Sequence, residues 1–112
     1  MNEKINWSDF AKVDMRIGTI LEVHDFPEAH NPSYRIKLDF GAEIGIRKTS
    51  AQLTLRYSKD ELLGKQVVAV VNFPKKQIAN FMSECLILGA ENDRDVILLH
   101  PENTCANGLK IG

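Results

Sequence analysis

Two pairs of cations stand near aromatic residues in the middle of this chain: Arg47-Lys48, and Lys75-Lys76 between Phe73 and Phe81. A cation can neutralise a phosphate and a flat ring can stack on a base, so this interleaving suits an oligonucleotide binder. It suits equally well a solvated, charged loop flanked by two core phenylalanines. Asn72 directly follows the apolar run Val67 to Val71. Its amide both donates and accepts, so it could read a base edge or a peptide group, or simply cap a strand end. Ser83-Glu84 precedes the next apolar stretch, where Glu84 could accept from a ligand amine or pair with a nearby lysine or arginine.

Catalytic chemistry has no comparable support. His24, His30 and His100 are scattered, and none stands at helical spacing from another candidate ligand. Cys85 and Cys105 form no C-x-x-C pair and read as two reduced, unpaired thiols. Ser50 and Ser83 lack the glycine-flanked setting of a nucleophile elbow. Neither common phosphate-cradling glycine pattern occurs, and no two carboxylates form a distinctive pair. The expectation is a binding module that is not an enzyme and needs no metal or cofactor.

Charge is unevenly distributed. The net charge is −1 and the pI about 6.3, which argues against coating nucleic acid by bulk charge. Yet residues 44–85 carry a net +4, against −3 for residues 1–43 and −2 for residues 86–112. A dimer would present the basic segment twice.

The 112 residues fit one domain, 1–112, with a modest core that a partner subunit would help to stabilise. No apolar run approaches membrane-spanning length, and the charged start Met1-Asn2-Glu3-Lys4 leads into no apolar signal core. A cytoplasmic protein without membrane insertion is expected.

The elements that must position these residues can be read from local pattern. Asn6 caps a short helix with Asp9 returning a bond, and Trp7 and Phe10 share one face that must pack on the barrel end or on a second subunit. Arg16 to His24 alternates as a strand, with Ile17, Thr19, Leu21 and Val23 on one face and Gly18, Ile20, Glu22 and His24 on the other. Glycine within a strand marks a bend or a close approach, which suits Gly18 in a coiled first strand. Phe26 to Pro32 reads as a loop. Tyr34 to Phe40 alternates strictly and pairs through a tight Gly41-Ala42 turn with Glu43 to Arg47. Ser58 caps a helix, Glu61 completes its box and Gly64 ends it. Gln66 to Val71 reads as a buried strand, then a basic loop Phe73 to Gln77, then short strands Glu84 to Leu88 and Val96 to Leu99. Asn107-Gly108 marks a last turn.

Five core strands with a helix between the third and fourth predict a mainly β fold, a five-stranded OB-fold Greek-key barrel that binds oligonucleotides on one face. A split α+β sandwich is the alternative. Trp7, Phe10, Leu109 and Ile111 have little reason to be apolar in an isolated barrel, and a two-fold homodimer interface would cover them.

In register along nearly the whole chain, Asp14 to Ile20, Lys48 to Ala51, Gly64-Lys65, Val67 to Phe73, Ser83 to Leu88 and Asn107 to Ile111 resemble the tRNA-binding domain family. That family includes stand-alone dimers and domains appended to aminoacyl-tRNA synthetases. Phe26 to Ala29, Asp39 to Ile46, Ser50 to Gln52, Val70 to Pro74 and Ile78-Ala79 are similar to its branch of small export-related chaperones. The resemblance implies an OB-fold homodimer that binds tRNA or structured RNA, or alternatively extended preprotein segments bound for the export machinery. It places the binding surface near Arg47, Lys48, Ser50, Asn72, Lys75, Lys76, Ser83 and Glu84, to which Phe73 and Phe81 add apolar contacts. The chain departs from the family at Phe26 to Asn31, where relatives carry a further cation, at Met82, often basic in relatives, and at Asn80, usually glycine. Asparagine suits the left-handed turn expected there.

Overall fold

The computed structural model describes residues 3–112. In chain order it contains α1 (Trp7–Ala11), β1 (Met15–Asp25), β2 (Tyr34–Asp39), α2 (Gly41–Ile44), β3 (Ile46–Ala51), α3 (Lys59–Leu62), β4 (Gln66–Val70), β5 (Lys76–Ile78), β6 (Phe81–Ser83), β7 (Leu86–Ile87), β8 (Gly89–Asn92) and β9 (Asp95–Leu98). Five strands form one antiparallel sheet in the order β3-β2-β1-β4-β7, and two hairpins, β5-β6 and β8-β9, attach to it. The sheet curls into a nearly closed barrel. Its seam is bridged where the Glu84 N–H donates to the Lys48 carbonyl at 2.8 Å. This is the mainly β, five-stranded OB-type architecture expected, with α3 between the third and fourth barrel strands.

The core is filled by the inward rows of each strand: Ile36, Leu38 and Phe40 from the second, Val67, Ala69 and Val71 from the fourth, and Leu53, Leu62 and Leu98 beside them. Gly18 is needed for this packing, because a Cβ there would lie 2.6 Å from the Phe40 ring. Both expected capping boxes form: Asn6 with Asp9, and Ser58 with Glu61. Each satisfies two N–H groups that the first helical turn cannot pair internally.

Several local expectations need correction. The β1-β2 register shifts between Ile20 and Glu22, a bulge at Leu21. Such a bulge bends a strand and moves the residues beyond it to the other face. Val23 therefore joins Ile20 on the core side, and Leu21 does not continue the row of Ile17. Gly41-Ala42 is not a tight turn: Gly41 to Ile44 form a single helical turn, flanked by Gly41 and Gly45 at φ 85° and 81°, so β3 begins at Ile46. The basic loop Phe73 to Gln77 is half strand, because Lys76 to Ile78 pair with Phe81 to Ser83. Glu84 to Leu88 is not one strand: Glu84 and Cys85 link β6 to β7, which keeps only Leu86-Ile87. In that hairpin turn Ala79, not Asn80, takes the left-handed conformation, at φ 52°. A two-residue hairpin of the II′ kind places the positive φ first.

Candidate nucleic-acid interface

Cross-strand register assembles a polar grid on the outer face of β1, β2 and β3. One row runs His24, Arg35, Ser50 and the next runs Glu22, Lys37, Lys48. These positions alternate with the core-facing Ile36 and Thr49, so the pleat turns all six outward. The hairpin β5-β6 brings Phe81 against them. Together Glu22, His24, Arg35, Lys37, Lys48 and Phe81 line an open groove of about 270 Å³.

Within the groove the contacts are specific. The Lys48 ammonium sits 5.2 Å from the centre of the Phe81 ring, and the Arg35 guanidinium sits 5.6 Å from that of Phe26. The two rings meet edge to face at 5.5 Å. These are cation–π and T-shaped arrangements, and they order side chains that are otherwise mobile. Lys37 Nζ lies 3.1 Å from Glu22 Oε2, and His24 Nε2 lies 3.0 Å from Glu22 Oε1. The hydrogen bond with His24, then the bond with and charge of Lys37, hold the Glu22 carboxyl below its ordinary range. The Nε of Arg35 is buried without a hydrogen-bond partner. Buried donors are normally satisfied, and this one is an exception, covered where the guanidinium lies against Phe26.

A second hollow of about 510 Å³ lies alongside, between the first loop and the two hairpins. Ser50, Lys76, Ser83 and Arg94 are among its walls. Ser50 also belongs to the Arg35 row, so the two hollows adjoin. A third hollow, about 600 Å³ between Tyr57, Lys65, Gln66 and His100, contains none of the binding residues expected from the sequence.

The expected site residues thus separate into groups. Lys48 and Phe81 meet in the groove; Ser50, Lys76 and Ser83 meet in the hollow beside it. Arg47 instead turns to the barrel seam, donating from Nη1 to the Val71 carbonyl at 3.0 Å and the Glu84 carbonyl at 3.5 Å. Asn72 accepts from the Asp14 N–H at 2.9 Å and donates to the Lys12 carbonyl at 2.7 Å, so its amide pins the N-terminal segment. Of the readings open to it, the strand-end cap is the one formed. Glu84 accepts from the Lys48 N–H at 3.0 Å and faces Lys75 at 3.7 Å, the partner role rather than the free acceptor. The Ser83 hydroxyl is 2.8 Å from that of buried Thr49, although Ser83 still lines the hollow. Phe73 is exposed and lies in neither hollow.

Sequence reasoning missed Glu22, His24, Arg35 and Lys37. The signal was present in Tyr34 to Phe40, whose outward positions include Arg35 and Lys37. Only pairing register shows that they neighbour Lys48. Among the described residues no group of three or more His, Cys, Asp or Glu could hold a metal ion. Cys85 and Cys105 are both free, and burial pushes the Cys85 thiol up to about 12.

The geometry defines a class: a small β-barrel with a cation- and ring-lined groove on its outer face. The profile of the family described as "Putative tRNA binding domain" matches residues 15–110. The chain belongs to that tRNA-binding domain family. It is 37% identical over 109 residues to methionine–tRNA ligase of Pyrococcus horikoshii, covering 97% of this chain and 15% of that protein. It is 38% identical over 108 residues to the corresponding ligase of Nanoarchaeum equitans, covering 96% of this chain and 13% of that protein. The chain therefore spans only about a seventh of these curated relatives. Two solved structures are similar over their full lengths. The chaperone CsaA of Bacillus anthracis superimposes with a TM-score of 0.93 at 46% identity, covering 98% of this chain and 100% of that one. The CsaA chaperone of Picrophilus torridus does so with 0.92 at 51%, covering 97% and 100%.

Proposed function

We propose that this protein is a non-catalytic RNA-binding module that takes tRNA or another structured RNA across the outer face of β1, β2 and β3. The observation that carries this reading is the groove itself. Arg35, Lys37 and Lys48 converge beside Phe81, and only Glu22 opposes them in charge. Cations there meet phosphates, and the ring offers a stacking platform once Lys48 is drawn to a phosphate. Membership of the tRNA-binding domain family supports the choice of RNA. Phosphate contacts release counterions, so affinity for bulk tRNA must fall steeply between low and high salt. Affinity that is flat across that range overturns the proposal.

A second reading, a chaperone that holds extended preprotein segments for the export machinery, is supported by the CsaA relatives and by exposed Phe73 and Met82 near the groove-side hairpin. Flexible apolar side chains adapt to varied clients. This reading predicts suppressed aggregation of a model client, lost in Phe81→Asp. No suppression at excess protein counts against it.

The working unit is a homodimer in the cytoplasm. Trp7 is 73% exposed, with its ring centre 5.4 Å from that of Phe10. The Ile111 N–H donates to the Met15 carbonyl, so the C-terminal segment with half-exposed Leu109 lies against the start of β1, next to α1. In this reading Trp7, Phe10, Leu109 and Ile111 supply the shared two-fold interface. Light scattering should return twice the 12.6 kDa chain mass, and Trp7→Glu should shift it towards the monomer. A monomer mass for the unaltered protein at micromolar concentration refutes the dimer. No helix among the described residues is long and apolar enough to cross a membrane.

A further inference from the structure

Glu22 is out of place in a groove built only to hold phosphates. It is the sole carboxylate among the groove's lining residues, which include three cations and an imidazole. A negative charge there weakens attraction to the RNA backbone, which every sequence shares. It is not a chance partner of one lysine, because both its oxygens are held: Oε1 by His24 at 3.0 Å and Oε2 by Lys37 at 3.1 Å. Those contacts fix the carboxylate's orientation and keep it ionised. They use one acceptor position on each oxygen, and a carboxylate offers about two per oxygen, so one on each is left open.

We propose, on the basis of the RNA-binding reading above, that Glu22 reads the Watson–Crick edge of one unpaired guanine seated in this groove. Single-stranded bases are recognised by stacking and by hydrogen bonds to that edge. The groove has the matching parts. Phe81 supplies the ring, and Lys48 and Arg35 the phosphate partners. Its small volume suits one nucleotide rather than a longer segment. The donor pattern decides the base. A carboxylate only accepts, and guanine alone presents two adjacent donors, N1–H and the N2 amino group, on its Watson–Crick edge. Adenine and cytosine present an amino group beside an acceptor, and uracil a single N–H between two acceptors.

The test uses RNA hairpins with one fixed stem and a loop differing only in one unpaired nucleotide: G, inosine, A, C or U. The full chain should bind the G loop about tenfold more tightly than the A, C or U loops, a typical value for one bidentate base contact. Inosine, which lacks the N2 amino group, should fall between. Glu22→Gln should bring all loops to within about twofold of one another. If the unaltered protein binds all loops equally, and Glu22→Gln strengthens every one alike, Glu22 only tempers the positive charge. The proposal then falls while the RNA-binding reading stands. If no hairpin binds even at low salt, the RNA-binding reading itself falls.

Discussion

The barrel seam and the outer face of β1-β2-β3 draw on the same residue types, often from the same strand, and use them oppositely. At the seam Arg47, Thr49, Ser83 and Glu84 meet protein partners: Thr49 Oγ1 donates to the Cys85 carbonyl at 2.6 Å, and Arg47 reaches two carbonyls. On the outer face Lys48, one residue from both Arg47 and Thr49, holds its ammonium over the Phe81 ring, and Arg35 holds its guanidinium over that of Phe26. A polar side chain whose hydrogen-bonding capacity is filled internally contributes to stability. One whose capacity remains open, held in place by ring contacts, contributes to binding. Alternation along a strand decides which it is, since neighbouring residues face opposite ways.

Separating the two regions by mutation gives the largest expected effect at the seam. Arg47→Ala removes a charged donor from the Val71 and Glu84 carbonyls and should cost about 2–3 kcal/mol in denaturant unfolding. The folded fraction should bind tRNA within about twofold of the unaltered protein. A stable variant with strongly reduced binding would place Arg47 on the binding face instead.

The seam also has an alkaline limit. Burial raises the Cys85 thiol from 9.0 to about 12. The folded state therefore keeps the proton that the unfolded chain releases. Stability should be undiminished below pH 9 and decline as pH rises from 9 towards 12. Cys85→Ser should flatten that decline, and an unchanged slope would contradict the assignment.

Asn72→Ala should cost about 1 kcal/mol through the lost hold on Lys12 and Asp14. It should leave the salt dependence of RNA binding unaltered, as measured by the same two titrations. The smallest effect is expected for Lys75→Ala/Lys76→Ala. Lys75 already faces Glu84 at 3.7 Å, so affinity should fall only about two- to fivefold. A loss greater than that from changing Lys37 and Lys48 would move the main site into the neighbouring hollow.

Much of the barrel was legible in the chain because its signals are local. The capping boxes at Asn6 and Ser58, the apolar run of Val67 to Val71 and the alternation of Tyr34 to Phe40 each specify their element without help from elsewhere. The features that were not legible depend on pairing. The bulge at Leu21 breaks an alternation that looks continuous in one dimension. The helical turn at Gly41 to Ile44 stands where a two-residue turn would also connect the strands. The candidate site was read where cations are adjacent in sequence, at Arg47-Lys48 and Lys75-Lys76. Adjacent residues of a strand point to opposite faces, so Arg47 was lost to the seam. The cations that gather around Lys48 come instead from β2.

The central claim is that the outer face of β1-β2-β3 binds RNA through its cations. It is tested most directly by measuring tRNA affinity as a function of salt for the unaltered protein and for Lys37→Ala/Lys48→Ala. Both residues are exposed, so the variant should unfold within about 0.5 kcal/mol of the parent. The account predicts a steep loss of affinity with salt for the parent, and for the variant weaker binding with a slope shallower by about two phosphate contacts. A folded variant with the parent's affinity and the parent's slope would contradict it.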